Sequence, residues 1–167
     1  LSENLKFKKI VSLDKPWGSS FISNDEIIIT EKSGKIKIVN ILTNDVTQVE
    51  HNLNFLEYGQ GGLLDILHKD NFIWISYTEN RGNRKTSTSI AKANLDKKKL
   101  LFINIFQANP PIDSGYHFGS RLAIKDNYLF ASAGERGKGM IAQDASKHPG
   151  SIIRIHLDGS IPKDNPK

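Results

Sequence analysis

Three times along this chain, a short strand-like run, a tight Asn/Asp turn and a strongly apolar second run follow one another. That recurrence constrains the fold more than any other feature. The first unit reads Trp17-Gly-Ser-Ser-Phe-Ile22, a turn at Asn24-Asp25, then the β-branched run Glu26-Ile-Ile-Ile-Thr-Glu31. A hairpin turn at Lys32-Ser-Gly34 leads into the alternation Lys35-Ile-Lys-Ile-Val39, and Thr47-Gln-Val-Glu50 supplies an outer strand. The second unit is Gly62-Leu-Leu-Asp-Ile-Leu67, a turn over His68-Lys-Asp-Asn71, and Phe72-Ile-Trp-Ile-Ser-Tyr77. A polar loop through Arg81-Gly-Asn-Arg84 then precedes strands over Thr88–Ala93 and Leu100–Ile105. The third unit opens at Gly119-Ser-Arg-Leu-Ala-Ile124, turns at Lys125-Asp-Asn127, runs through Tyr128-Leu-Phe-Ala-Ser-Ala133 and ends with Ser151-Ile-Ile-Arg-Ile-His156.

Helix signals are scarce, and the units repeat at about 45–55 residues, the range of β-propeller blades. An antiparallel sandwich also yields short strands with Gly/Asn turns. The fixed order of inner strand, tight turn and apolar second strand favours blades. The expected fold is therefore all-β, a partial propeller spanning 1–167 with blades over roughly 10–50, 60–106 and 117–160. Three blades cannot close a ring, because closure requires the last blade to cover the first. With Ile161–Lys167 read as a loop and no initiating methionine, the chain is expected to be a piece of a longer protein, truncated at its C-terminal side, with a second chain on the open edges as the alternative.

Composition narrows the classes. The sequence is 38% hydrophobic and 25% charged, the balance of a globular protein. No apolar run approaches the roughly 20 residues of a membrane span, and Leu1–Lys6 lack the basic start and apolar stretch of a signal peptide. Cysteine is absent, which removes disulfides and thiolate chemistry. The net charge of +5 comes from lysines scattered among strands and turns, as in Lys6–Lys9 and Lys97–Lys99. Without a basic helix or aromatic platform, this reads as a solvated surface with protected strand edges, and no nucleic-acid partner is expected.

Two loops between repeats hold the residues with chemical potential. Tyr58-Gly-Gln-Gly-Gly-Leu-Leu-Asp65 offers glycines that admit close backbone approach to a ligand and an amide, Gln60, that both donates and accepts. No lysine and Ser/Thr follow at phosphate-loop spacing. Asp113-Ser-Gly-Tyr-His-Phe-Gly-Ser-Arg-Leu122 places His117 at a strand mouth; an imidazole, with an unperturbed pKa of about 6.5, accepts a proton near neutral pH. Equivalent positions of successive blades converge on the axis, so Gln60 and His117 are expected to share a pocket. Asp65, Asp70, Asp113, Asp126, Asp144 and Asp158 lack the order of a calcium loop and read as turn or capping residues. His51, His68, His148 and His156 show no zinc spacing, so no metal ligand is assigned in this chain. Trp17 and Trp74 read as core or blade-interface aromatics, and Arg121 as a buried hydrogen-bonding residue or a ligand contact.

Pro16-Trp-Gly18, Gly59-Gln-Gly-Gly-Leu-Leu-Asp65, His117-Phe-Gly-Ser-Arg-Leu122, Ala142-Gln-Asp144 and Asp158-Gly-Ser-Ile-Pro-Lys-Asp-Asn-Pro166 occur in one order. Together they resemble the soluble pyrroloquinoline-quinone (PQQ)-dependent aldose sugar dehydrogenases, the glucose/sorbosone dehydrogenase family. The resemblance implies a six-bladed propeller, of which this is the N-terminal half. It implies oxidation of an aldose to a lactone, with His117 as general base and as a contact to the PQQ cofactor, and Gln60 as a further cofactor contact. It implies calcium held by ligands outside this chain, a quinone or cytochrome-type electron acceptor, and a periplasmic or secreted location. The family's cofactor-holding cations also lie in its second half, so the segment alone is expected to be inactive. Tyr116 departs from the small polar or histidine residue found beside the base, and Gly134–Gly139 fall in a variable region that assigns no contact. The rival from another class is a non-catalytic propeller that has lost its cofactor and serves as a binding or scaffold module.

Overall fold

The computed structural model describes residues 5–166, so the readings placed on Leu1–Asn4 and Lys167 lie outside it. In the first sheet, β1 (Pro16–Phe21), β2 (Glu26–Glu31), β3 (Lys35–Asn40) and β4 (Val46–His51) form an antiparallel meander. The second sheet begins with β5 (Leu63–Lys69), β6 (Phe72–Asn80) and β7 (Thr86–Asn94). After β8 (Lys99–Leu100), β9 (Ile103–Gln107) completes the second sheet in the order β5-β6-β7-β9. The third sheet is β10 (Gly119–Lys125), β11 (Tyr128–Ala133) and β12 (Ser151–His156), with a 3-10 turn at Gly139–Gln143 in the loop before β12.

The turns form where the sequence places Asn and Asp. Asp70 and Asp126 sit in the left-handed region at φ 55° and 54°, which short polar side chains tolerate better than branched ones. Two expectations change. The second inner strand runs on to Lys69 because the His68 N–H donates to Ser20 Oγ at 3.0 Å and its ring bonds the Phe21 carbonyl, which ties it to β1. The single strand expected over Leu100–Ile105 is split. Leu100 is fully buried against the first sheet, where β8 pairs parallel to β4. The Asn52 amide then captures both the N–H and the C=O of Phe102, which interrupts the strand before β9 joins β7.

The core lies between sheets, as in a propeller. Ile28, Ile36 and Val49 of the first sheet meet Leu63, Ile73 and Ala91 of the second. Trp74 and Ile90 of the second meet Leu129, Ala131 and Ile153 of the third. Each such aliphatic side chain contributes about 1.5–3 kcal/mol on full burial, so the faces hold the sheets together. β1 lies against β5, and β5 against β10, so the inner strands fan about one axis.

Each inner strand carries a bulge at the same place, between Pro16 and Ser19, between Leu63 and Ile66, and between Gly119 and Leu122. The N–H groups released by the three bulges, at Gly18, Asp65 and Arg121, donate to the hydroxyls of Thr30, Ser76 and Ser132 on the neighbouring strand. Two of those hydroxyls donate onward to the next sheet, Thr30 to the Leu64 carbonyl at 2.5 Å and Ser76 to the Ser120 carbonyl at 2.6 Å. The bulges therefore bind sheet to sheet. Gly18 has no alternative: a Cβ there would stand 2.7 Å from Asp65 Cα and Leu64 O.

Candidate functional site

The loops that enter β5 and β10 meet at one end of the axis, and the glycines explain how. Gly59, at φ 59°, lies so close to Gly115 that any Cβ would clash with the latter's backbone. The close approach that Gly59 permits is thus between the two loops. The Gln60 N–H donates to the Gly115 carbonyl at 2.7 Å, and the His117 N–H donates to Gln60 Oε1 at 2.8 Å. Lys32 Nζ, on the first sheet, donates to the Gly59 carbonyl at 2.6 Å. An amide and an imidazole 57 residues apart in sequence are thus placed side by side, both exposed.

His117 itself is held in a costly conformation. Its φ is 49°, in a region that a non-glycine residue enters at about 1–2 kcal/mol. Three contacts from outside the loop over-determine it. Gln60 takes its N–H, the Arg136 N–H donates to its carbonyl at 3.3 Å, and Glu135 Oε1 bonds its ring Nδ1. That hydrogen bond from His117 holds the Glu135 carboxyl below the usual carboxylate range, with the backbone N–H groups of Glu135 and Gly137 adding to the effect. An ionised carboxylate only accepts, so Nδ1 is the nitrogen that carries a proton toward Glu135, and in the neutral imidazole Nε2 is then the one with a lone pair. Tyr116 stands edge-on to the imidazole with ring centroids 6.2 Å apart, and its side chain is exposed.

Arg136 fixes the loop from beneath. It is 2% exposed, and its guanidinium donates to the carbonyls of Tyr116, Ser114 and Thr86 and to the Thr86 hydroxyl. It also stacks 3.6 Å above the Phe118 ring. Burial lowers its pKa to about 10, which still leaves it a cation at neutral pH. Glu135 and Arg136 are consecutive, one on the imidazole and one on the loop's carbonyls. Neither was assigned from sequence, since partners 18 and 20 residues away leave no local pattern. One signal existed: Glu135 follows the second strand of its sheet as Glu79 follows the equivalent positions of β6, so the repeat marks both as rim residues.

Deeper along the axis, Asp65 is no turn residue, which corrects its sequence reading. Its carboxylate is buried and accepts from the Leu122 N–H at 2.8 Å, Arg121 Nη1 at 3.0 Å and its neighbour Ile66 N–H at 3.0 Å. Arg121 makes the hydrogen bond expected of it but is not buried: its side chain is 65% exposed, bonds Asp65, and lies 4.8 Å over the Trp17 ring. Trp74 is fully buried between the second and third sheets, its Nε1 donating to the Leu157 carbonyl. Asp144 and Asp158 cap Asp-x-Ser turns, each accepting from the N–H and hydroxyl of Ser146 or Ser160. Asp113 instead bonds the Tyr58 hydroxyl and pairs with Arg84. Among the described residues no group of three or more His, Asp or Glu is placed to hold a metal ion, and no helix is long and apolar enough to cross a membrane.

Comparison with known proteins supports the fold. The glucose/sorbosone dehydrogenase family model matches residues 13–167. The aldose sugar dehydrogenase of Escherichia coli K12 is 32% identical over 164 residues, covering 92% of this chain and 44% of that protein. The solved apo structure of the Escherichia coli aldose sugar dehydrogenase superposes with a TM-score of 0.87 at 30% identity, over 92% of this chain and 47% of that one. Quinoprotein glucose dehydrogenase B of Acinetobacter calcoaceticus is 28% identical, covering 99% of this chain and 42% of that protein. The PQQ-bound aldose sugar dehydrogenase of Streptomyces coelicolor shares the fold at a TM-score of 0.81 and 23% identity, over 93% of this chain and 48% of that one. The chain thus spans less than half the length of the curated relatives it matches.

Proposed function

The chain belongs to the glucose/sorbosone dehydrogenase family, and on that premise we propose that it is the first half of a PQQ-dependent aldose dehydrogenase that oxidises its sugar to a lactone. In this reading the blades run roughly over 10–50, 60–106 and 117–160, and a second half closes the ring. The observation that carries the reading is the juxtaposition of Gln60 and His117, with Glu135 behind the ring.

The donor set fits the cofactor. With its Oε1 engaged by His117, Gln60 still presents an exposed NH₂, a donor suited to the carbonyl and carboxylate oxygens of PQQ. Gln60 and His117 are the residues of this chain that would hold it. When bound, PQQ supplies the two-electron acceptor. The residues of this chain do the rest. His117 Nε2 takes the proton from the anomeric hydroxyl, and Glu135, ionised beside Nδ1, stabilises the imidazolium that results. The left-handed backbone and its three tethers hold the imidazole in place before substrate arrives, so little orientation is left to arrange at the moment of reaction. Calcium ligands and the cations for the cofactor's carboxylates are assigned to the second half, electrons leave to a quinone or cytochrome-type acceptor, and the site of action is the periplasm or the exterior.

The test is sugar-dependent bleaching of a redox dye by the full-length polypeptide supplied with PQQ and calcium. Turnover with aldoses is expected there and not with isolated 1–167. Turnover by the isolated segment contradicts the division of labour between halves. A folded full-length protein that shows no turnover and no PQQ binding supports the non-catalytic module instead.

A further inference from the structure

Both ends of the Gln60 loop are held by one residue of the first sheet. The Lys32 carbonyl, just past β2, accepts the Leu63 N–H at 3.2 Å where the loop enters β5. Its Nζ donates to the Gly59 carbonyl at 2.6 Å, immediately before Gln60. Gln60, Gly61 and Gly62 thus lie between two bonds to a single lysine. Gly62 leaves no space over that contact, since a Cβ there would stand 2.0 Å from the Lys32 carbonyl oxygen. The lysine side chain is 22% exposed, and Glu57 Oε1 lies 3.8 Å from Nζ, too far for a hydrogen bond. Among the described residues the Gly59 carbonyl is therefore the one acceptor that this ammonium bonds.

The repeat itself does not require a lysine at this position. Lys32, Thr78 and Gly134 are equivalent: each donates its N–H to the carbonyl of the residue just before its own inner strand, Lys15, Gly62 and Phe118. Threonine and glycine make that backbone bond as well as lysine does. The first sheet has no need of the Lys32 side chain, which reaches instead into the loop of the second. What that loop carries is the Gln60 amide, whose N–H bonds the Gly115 carbonyl and whose Oε1 takes the His117 N–H. We infer that Lys32 is a positioning residue for the Gln60 amide, a role that rests on the cofactor contact proposed for Gln60. It acts through Gln60 and, one hydrogen bond further, through the His117 backbone. An amide fixed before the cofactor arrives has less freedom to lose on binding it.

Two measurements on the full-length polypeptide test this, with Lys32→Met keeping the stem and removing the donor. Without cofactor, amide hydrogen exchange at Gln60 and His117 is expected to quicken about 10-fold in Lys32→Met, because the loop opens more readily. Exchange at Leu122, held by Asp65, is expected to keep its original rate. Lys32→Arg, with a donor on a long stem, restores the protection. With PQQ, affinity is read from quenching of tryptophan fluorescence. It is expected to fall about 10-fold in Lys32→Met. The same change made in Gln60→Ala is expected to cost no more than about 2-fold, since no amide is left to position. Equal losses in the two backgrounds overturn the inference, because the ammonium then acts on PQQ without Gln60. Unchanged exchange at Gln60 and His117 overturns it as well. An unsubstituted protein that binds no PQQ sinks the cofactor reading alone; the exchange rates still decide whether Lys32 sets the loop.

Discussion

Replacing His117 by asparagine is expected to lower kcat for sugar-dependent dye reduction by the full-length polypeptide about 10²–10⁴-fold, the usual contribution of a positioned general base. Asparagine is the informative choice because it tolerates the left-handed backbone that His117 adopts at φ 49° and can still donate its N–H to Gln60 Oε1. The loop should therefore keep its shape while the base is lost. KM for the sugar is expected to change far less than kcat, since the base acts in the transition state, while affinity for PQQ falls by the one contact that the His117 ring supplies. His117→Ala should show the same loss of kcat. A variant that retains kcat within a few-fold would remove His117 from the chemistry.

The second large effect concerns the axis. Asp65→Ala is expected to destabilise the protein by about 3 kcal/mol, read as a fall in urea midpoint. The variant leaves the Leu122 N–H without its acceptor in a buried setting and deprives Arg121 of its carboxylate. Exposure of the Arg121 head limits the loss, because water can solvate a guanidinium freed at that site. Asp65→Asn keeps one oxygen for those donors and should cost roughly half as much. The lock joins the second inner strand to the third, so its removal should also loosen the Arg121–Trp17 stack, visible as a change in tryptophan fluorescence. A shift below about 0.5 kcal/mol would mean the carboxylate adds nothing to sheet association.

Much of the fold was legible because its signals are local. Asn and Asp at Asn24-Asp25, Asp70-Asn71 and Asp126-Asn127 mark the turns, with Asp70 and Asp126 taking the left-handed backbone there, and β-branched runs such as Glu26–Glu31 fit a pleated, half-buried sheet. Convergence of Gln60 and His117 was legible for a different reason: repeats place equivalent loops at the same end of an axis whatever their separation in sequence. Where contacts are long-range and side-chain specific, the sequence was silent. Leu100 leaves its own sheet to pair with the first, a parallel contact that no periodicity encodes. Asp65 resembles any loop-proximal aspartate until the third sheet brings it the Leu122 N–H. Glu135 and Arg136 lie in a loop with no periodic pattern, and only the folded chain shows them gripping opposite sides of the His117 loop.

The proposed mechanism requires an imidazole whose outer nitrogen is bare. A long-range ¹H–¹⁵N correlation spectrum of the full-length polypeptide at neutral pH, with the His117 signals assigned by their loss in His117→Asn, reads the tautomer directly. Protonated Nδ1 facing Glu135 and unprotonated Nε2 is the expected result, with Glu135→Ala weakening that preference. A ring protonated on Nε2 and bare at Nδ1 would leave no base aimed at the sugar and would contradict the mechanism.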